Sequence, residues 1–166
     1  LNNRLTLQLM VMFVLGGAQG VLGWFMVKSG LVDRPDVSQY RLTAHLGLAI
    51  LIYAYIFWVA LGLLAQNTSQ VNRRALSQIT GVSVFWIFLT MLAGGFVAGL
   101  DAGLTYNTFP LMDGKFIPDG LLSMSPVFRN FFENVTTVQF GHRMMAYGSI
   151  ILVSITFWQA RAHGLS

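Results

Sequence analysis

Five polar residues that could do chemistry lie inside long apolar stretches of this sequence. They are Gln19, His45, Gln139, His142 and Arg143. A polar or ionisable side chain is costly in an apolar environment, so each of these residues is a candidate for function. The two histidines are the most informative, because a neutral imidazole can bind a metal ion, relay a proton or form a buried hydrogen bond.

The two histidines occupy matching places. Each lies about five or six residues inside its apolar stretch, counted from the same side, at a rise of about 1.5 Å per residue. A single such histidine is most often structural, but two at one depth favour metal ligation. With no cysteine in the chain and no carboxylate cluster beside them, heme iron bound by axial imidazoles is the metal site that His45 and His142 predict. Depth alone would pair them on one heme.

Two arginines lie close to these histidines. Arg143 directly follows His142, and Arg41 lies one helical turn before His45. An arginine near a membrane surface can bind a heme propionate through its planar guanidinium group. For Arg143 the alternatives are an ion pair with an acidic residue, Asp101 or Glu133, or extension of its charged end to the interface. The third histidine, His163, is assigned no role.

The elements that must position these residues are four apolar spans, at about 5–27, 40–65, 76–100 and 136–160. The chain is 55% hydrophobic and only 10% charged, against about 25% charged in soluble domains. Each span has the roughly 20 residues that cross a bilayer as a helix. The sequence therefore predicts an all-α, polytopic membrane helix bundle that forms one membrane-embedded region over 1–166. A soluble four-helix bundle is disfavoured, because the helices lack charged faces.

The connecting segments predict an orientation. All six acidic residues lie in the segments 28–39 and 101–135, whereas the other side carries basic residues in short loops. The positive-inside rule then places both chain ends inside and the long segment 101–135 outside. Its length and aromatic content predict a short interfacial helix or a cap that lies over the bundle. The net charge of +4 comes from scattered residues, so nucleic-acid binding is not expected.

Glycines recur in the first and third spans. The third span carries Gly95, Gly99 and Gly103 at four-residue spacing, and the first carries a cluster between Gly16 and Gly23. Small residues at this spacing allow helices to approach closely. The alternative is that they clear space for a flat, bulky ligand.

Several local motifs together resemble the heme A synthase family, and most closely its alphaproteobacterial and mitochondrial branch. The resemblance covers almost the whole chain. The motifs are 19–24 (Gln-Gly-Val-Leu-Gly-Trp), 28–31 (Lys-Ser-Gly-Leu), 40–46 (Tyr-Arg-Leu-Thr-Ala-His-Leu), 95–104 (Gly-Phe-Val-Ala-Gly-Leu-Asp-Ala-Gly-Leu), 106–110 (Tyr-Asn-Thr-Phe-Pro), 130–134 (Asn-Phe-Phe-Glu-Asn) and 138–143 (Val-Gln-Phe-Gly-His-Arg).

The resemblance implies an enzyme with eight transmembrane helices in two pseudo-symmetric halves. It implies oxidation of the C8 methyl group of heme O to the formyl group of heme A, for cytochrome oxidase assembly, with heme b as cofactor. This chain would supply the third to sixth helices, as a fragment that is inactive alone. His45 would then bind substrate heme, and His142 heme b, each with a partner histidine outside the chain.

The resemblance also bears on the residues around His142. Gln139 stands where the family's catalytic acidic residue stands before the histidine of the second helix. The second half would therefore be non-catalytic, and the catalytic carboxylate would lie outside this chain. Gly141 departs from the acid or amide that many relatives carry beside the ligand.

The implied setting is the bacterial inner membrane, or the mitochondrial inner membrane in a eukaryote. The implied partners are heme O, membrane lipid, heme O synthase, other cytochrome oxidase assembly factors and a second copy of the protein. Two other functions fit the residues alone. One is a cytochrome b-like electron carrier with bis-histidine heme, and the other is a transporter whose histidines relay protons.

Overall fold

The computed structural model describes residues 3–30, 37–64 and 74–162. Over these ranges the chain is all-helical, as predicted, with no strand and one isolated β-bridge between Met112 and Lys115. The helices are α1 (Asn3–Gly30), α2 (Gln39–Leu64), α3 (Arg74–Gly99), α4 (Asn130–Glu133) and α5 (Val135–Ala162), with short 3-10 turns at Ala102–Leu104 and Val127–Arg129.

Three of these helices, α1, α2 and α3, are long and apolar enough to cross a membrane. The fourth predicted span is also a continuous helix, since α5 has 28 residues. It is less apolar, because Gln139, His142 and Arg143 lie near its start and Gln159 and Arg161 lie near its end. Its membrane crossing stays a prediction.

Helices α1 and α2 belong to the first of two compact units, Leu1–Val71. The two helices pack antiparallel to each other. Arg4 and Gln8, near the start of α1, line the same groove as Trp58 and Gly62, near the end of α2. Large apolar side chains on both helices remain exposed, for example Phe13, which is 84% exposed. Such faces suit contact with lipid or with further helices rather than with water.

Helices α3 and α5 form the main contact of the second unit, Asn72–Ser166. Polar side chains connect them along their length. The Ser83 and Thr156 hydroxyls lie 2.9 Å apart, the Thr90 and Ser149 hydroxyls 3.1 Å apart, and the Trp86 indole N–H donates to the Met145 carbonyl at 2.9 Å. Interhelical hydrogen bonds of this kind are typical of helices that pack inside a membrane.

The segment between α3 and α5 is folded, with two 3-10 turns and α4, and we call it the cap. Asn130, at the start of α4, is completely buried. Its amide nitrogen donates to the carbonyls of Met124 and Val127 at 2.8 and 2.9 Å, and its oxygen accepts from the Met124 N–H at 2.9 Å. Asn134 is the N-terminal capping residue of α5, because its side-chain oxygen accepts a hydrogen bond from the Thr137 N–H at 2.9 Å. The loop segment called the cap is therefore joined to the first turn of α5.

We predict that Asn130→Ala destabilises the cap. The substitution removes three part-buried hydrogen bonds between the Asn130 side chain and the backbone of Met124 and Val127, so the free energy of unfolding should fall by about 2–3 kcal/mol. Asn107→Ala is the matched control, because Asn107 is exposed and donates once, to the Leu104 carbonyl. That control should change stability by about 0.5 kcal/mol or less. Thermal unfolding of the detergent-solubilised chain measures both, and equal losses would contradict the account.

Candidate functional site

The His45 ring lies against bare backbone on the neighbouring helix of its unit. A Cβ atom built on Gly23 of α1 would lie 3.0 Å from His45 Cε1 and 3.7 Å from each ring nitrogen. Real Cβ atoms are rarely this close to another heavy atom, so any larger residue at this position would require the imidazole to shift.

Gln19 lies one turn before Gly23 and holds the same histidine. Its amide nitrogen is 3.2 Å from His45 Nε2 and 3.1 Å from the His45 carbonyl oxygen. The sequence singles out Gln19 as a polar residue in a span but gives it no role. Its role is visible only in the pairing of α1 with α2.

The His142 ring repeats this arrangement in the second unit. A Cβ built on Gly94 of α3 would lie 3.1 Å from His142 Cε1 and 3.7 Å from both ring nitrogens. In each unit the glycine lies near the end of one helix and the histidine near the start of the next. The two units thus build the same contact, within a fraction of an ångström, from different sequences.

In both imidazoles the Nδ1 nitrogen is buried in the protein. The Nδ1 atoms of His45 and His142 are buried and have no hydrogen-bond partner among the described residues. Nε2 of His45 lies 3.2 Å from the Gln19 amide nitrogen, whereas Nε2 of His142 makes no hydrogen bond among the described residues. A neutral imidazole can present the lone pair of this nitrogen to a metal ion or take part in proton transfer.

Arg143 and Gln139, on either side of His142, bind the cap. Arg143 donates to the carbonyls of Tyr106, Thr108 and Leu111 at 2.8, 2.9 and 3.4 Å. Gln139 is 5% exposed and donates to the Tyr106 carbonyl at 3.0 Å. Both side chains therefore tie the segment 106–111 to the first turns of α5.

Of the alternatives for Arg143, an ion pair with Glu133 is not present, because Glu133 pairs with Arg129 one turn earlier on the chain. Arg41, the other arginine predicted to bind a propionate, has its guanidinium 4.9 Å from the centre of the Phe25 ring. This is cation–π distance. For Arg41, Arg143 and Gln139, cofactor binding stays a prediction.

The glycine patterns of the sequence proved only partly informative. Gly16, Gly17 and Gly20 have no atom of the described residues within 4 Å of a built Cβ. The glycines that matter for the site are Gly23 and Gly94. Four-residue spacing alone does not pick them out, since the signal is which glycine faces a histidine of the next helix.

A family model described as COX15-CtaA, cytochrome oxidase assembly protein, matches residues 1–165. The chain belongs to this family. The predicted resemblance is thereby confirmed. No solved structure matches the chain.

Curated COX15-CtaA relatives are similar over most of the chain. The heme A synthase of Nitrosospira multiformis is 54% identical over 99% of this chain and 47% of its own length. The heme A synthase of Parvibaculum lavamentivorans is 54% identical over 93% of this chain and 44% of its own length. The heme A synthase COX15 of Mus musculus is 45% identical over 86% of this chain and 37% of its own length. The chain spans less than half the length of these relatives.

We predict opposite effects of alanine at two kinds of glycine. Gly20→Ala and Gly81→Ala add a methyl group in open space and improve helix propensity, so stability should stay equal or rise by about 0.5–1 kcal/mol. Gly23→Ala and Gly94→Ala push against an imidazole and should lower stability by about 1–3 kcal/mol. Thermal unfolding in detergent compares the four variants, and a gain at Gly23 or Gly94 would contradict the close contact.

We also predict that Arg143→Lys loosens the cap. One ammonium group cannot reproduce the guanidinium fork, and hydrogen bonds from charged donors contribute about 1.5–3 kcal/mol. Exchange of the hydrogen-bonded amides of Met112, Asp113 and Lys115 should therefore speed up by about tenfold or more. Hydrogen exchange followed by mass spectrometry measures this. Arg161→Lys, at the other end of α5, is the control, and equal protection in both variants would refute the role of Arg143.

Proposed function

We propose that the complete protein is a heme A synthase, which oxidises the C8 methyl group of heme O to the formyl group of heme A for cytochrome oxidase assembly. The observation that carries this proposal is the repeated glycine–histidine contact, found in a chain whose family relatives are named heme A synthases. Each unit contributes one imidazole whose Nε2 is left for a ligand.

The donor atoms of this chain fit heme better than a bare metal ion. The described residues contain no group of three or more His, Cys, Asp or Glu side chains that could hold an ion. Heme needs only axial ligands from the protein, and histidine imidazole is a common one. The burial of Nδ1 in both histidines leaves a single nitrogen, Nε2, for that bond.

In this proposal the two units have different tasks. His45 would hold substrate heme O and His142 would hold a heme b cofactor, each together with a histidine from outside this chain. When bound, the heme groups supply the redox chemistry of the reaction. The chain's own residues orient the imidazoles through Gly23 and Gly94, and Arg143 keeps the cap beside the cofactor half.

The second unit is suited to holding a cofactor rather than to proton transfer. The residue one turn before His142 is the neutral Gln139, whose amide nitrogen is committed to the Tyr106 carbonyl. No carboxylate therefore occupies that place. In our proposal the catalytic acidic residue belongs to the other half of the protein, outside this chain.

The proposed setting follows from the family and the helices. The four long helices are the third to sixth of eight and cross the bacterial inner membrane, or its mitochondrial counterpart. The chain ends face the cytoplasm or matrix and the cap faces the opposite side. Heme O synthase, cytochrome oxidase assembly factors and a second copy of the protein are the proposed partners.

We predict that His45→Ala and His142→Ala each remove one heme half-site from the complete protein. Co-expression with heme O synthase, followed by pigment extraction and chromatography, should show heme A formation reduced at least about a hundredfold in both variants, because axial ligands are lost. Each variant should also lose part of the bis-histidine absorbance. His163→Ala, which lies outside the described residues, is the matched control.

Two outcomes would overturn the proposal. Unchanged heme content and heme A yield in both variants would remove the histidines from the site. Bound heme that cycles between redox states without any conversion of heme O would identify a cytochrome b-like electron carrier instead.

A further inference from the structure

We infer that Gln19 is a positioning residue that fixes the tautomer of His45 and competes with heme iron for its Nε2, so that heme bound there stays exchangeable. The inference rests on the proposed function and deepens it for the first unit. It follows from two distances around one amide group, and from the absence of an equivalent contact in the second unit.

The orientation of the Gln19 amide is fixed by the His45 carbonyl. A backbone carbonyl only accepts hydrogen bonds, so the Gln19 atom 3.1 Å from it must be the NH₂ group. The same nitrogen lies 3.2 Å from His45 Nε2. Its second hydrogen therefore points to a ring nitrogen that has to accept.

This contact selects one tautomer of His45. If Nε2 accepts from Gln19, the proton of the neutral imidazole is on Nδ1, and the lone pair is on Nε2. That is the form of histidine that binds a metal through Nε2. Gln19 thus holds the ring with the correct nitrogen unprotonated before any heme arrives.

The same contact competes with heme. Iron bound to Nε2 uses the lone pair that the Gln19 amide occupies, so heme binding breaks this hydrogen bond. The amide is held loosely otherwise, because Gln19 Oε1 is buried without a hydrogen-bond partner among the described residues. The empty half-site is therefore stabilised relative to the loaded one, which weakens binding and favours release.

Among the described residues of the second unit, no side chain makes this hydrogen bond to His142. Thr90 precedes Gly94 by four residues, as Gln19 precedes Gly23. Its hydroxyl donates to the Trp86 carbonyl at 2.9 Å and lies 3.1 Å from the Ser149 hydroxyl. The Thr90 hydroxyl is therefore engaged between α3 and α5 and makes no hydrogen bond to His142. The His45 half-site therefore exchanges its heme, whereas the His142 half-site retains its heme.

The test is heme affinity at the His45 half-site of the complete protein. In a His142→Ala background, heme b added as hemin in detergent reports this half-site through its absorbance. Gln19→Leu removes the competing hydrogen bond and should lower the Kd about threefold to tenfold. Transfer of heme to apomyoglobin should slow in parallel. Gln8→Leu, the same substitution on the same helix, should leave both unchanged.

A purely structural role for Gln19 predicts the opposite sign, since a displaced His45 would bind heme more weakly. Gln19→Ala is the second variant and should also tighten binding. Weaker or unchanged binding in both Gln19 variants, with heme still bound at His45, would overturn this inference alone. Absence of any His45-dependent heme in the His142→Ala protein would overturn the proposed first half-site, and this inference with it.

Discussion

In each unit, the edge of an imidazole ring lies against the bare backbone of a glycine on the neighbouring helix. A methyl group on Gly23 or Gly94 would lie 3.0 or 3.1 Å from the ring, so the imidazole would have to shift to admit it. The two helices of each unit therefore approach closely where the histidine meets the glycine backbone. In the second unit, the same pair of helices is also joined by the hydrogen bonds that Ser83, Trp86 and Thr90 of α3 make with α5.

Around this shared contact the two units differ in polarity. The first has an amide on the opposite helix, Gln19, whose hydrogens are directed at the histidine. In the second, the polar groups nearest to His142 on its own helix, Gln139 and Arg143, turn to the cap and bind carbonyls between Tyr106 and Leu111. One histidine is thus hydrogen-bonded to a side chain of the neighbouring helix, whereas the polar neighbours of the other bind the cap. In the proposed function, the first is the substrate half-site and the second is the cofactor half-site.

The sequence was sufficient to predict the long helices, the two histidines and the cap, because each has a local signal. Apolar length predicts α1, α2 and α3, and isolated ionisable groups within apolar stretches mark His45 and His142. The folded cap was foreseen from its length and aromatic content. The family resemblance was readable from motifs and is confirmed by the family match.

The contacts that shape the site could not be predicted in the same way, since they depend on how helices pair. Arg143 donates to three backbone carbonyls of the cap, a role that was not among the alternatives the sequence offered; propionate binding by Arg143 stays a prediction. No sequence pattern marks a carbonyl as a partner. Likewise, Gly23 and Gly94 differ from neighbouring glycines only in facing a ring, and Gln19 gains its role only from its distance to His45.

The central claim is that His45 and His142 serve two separate heme sites. Diffraction from crystals of the complete protein grown with heme b, measured at the iron absorption edge, tests it most directly. The account predicts two iron positions, one within bonding distance of His45 Nε2 and the other of His142 Nε2. A single iron bound by both histidines, or iron remote from both, would contradict it.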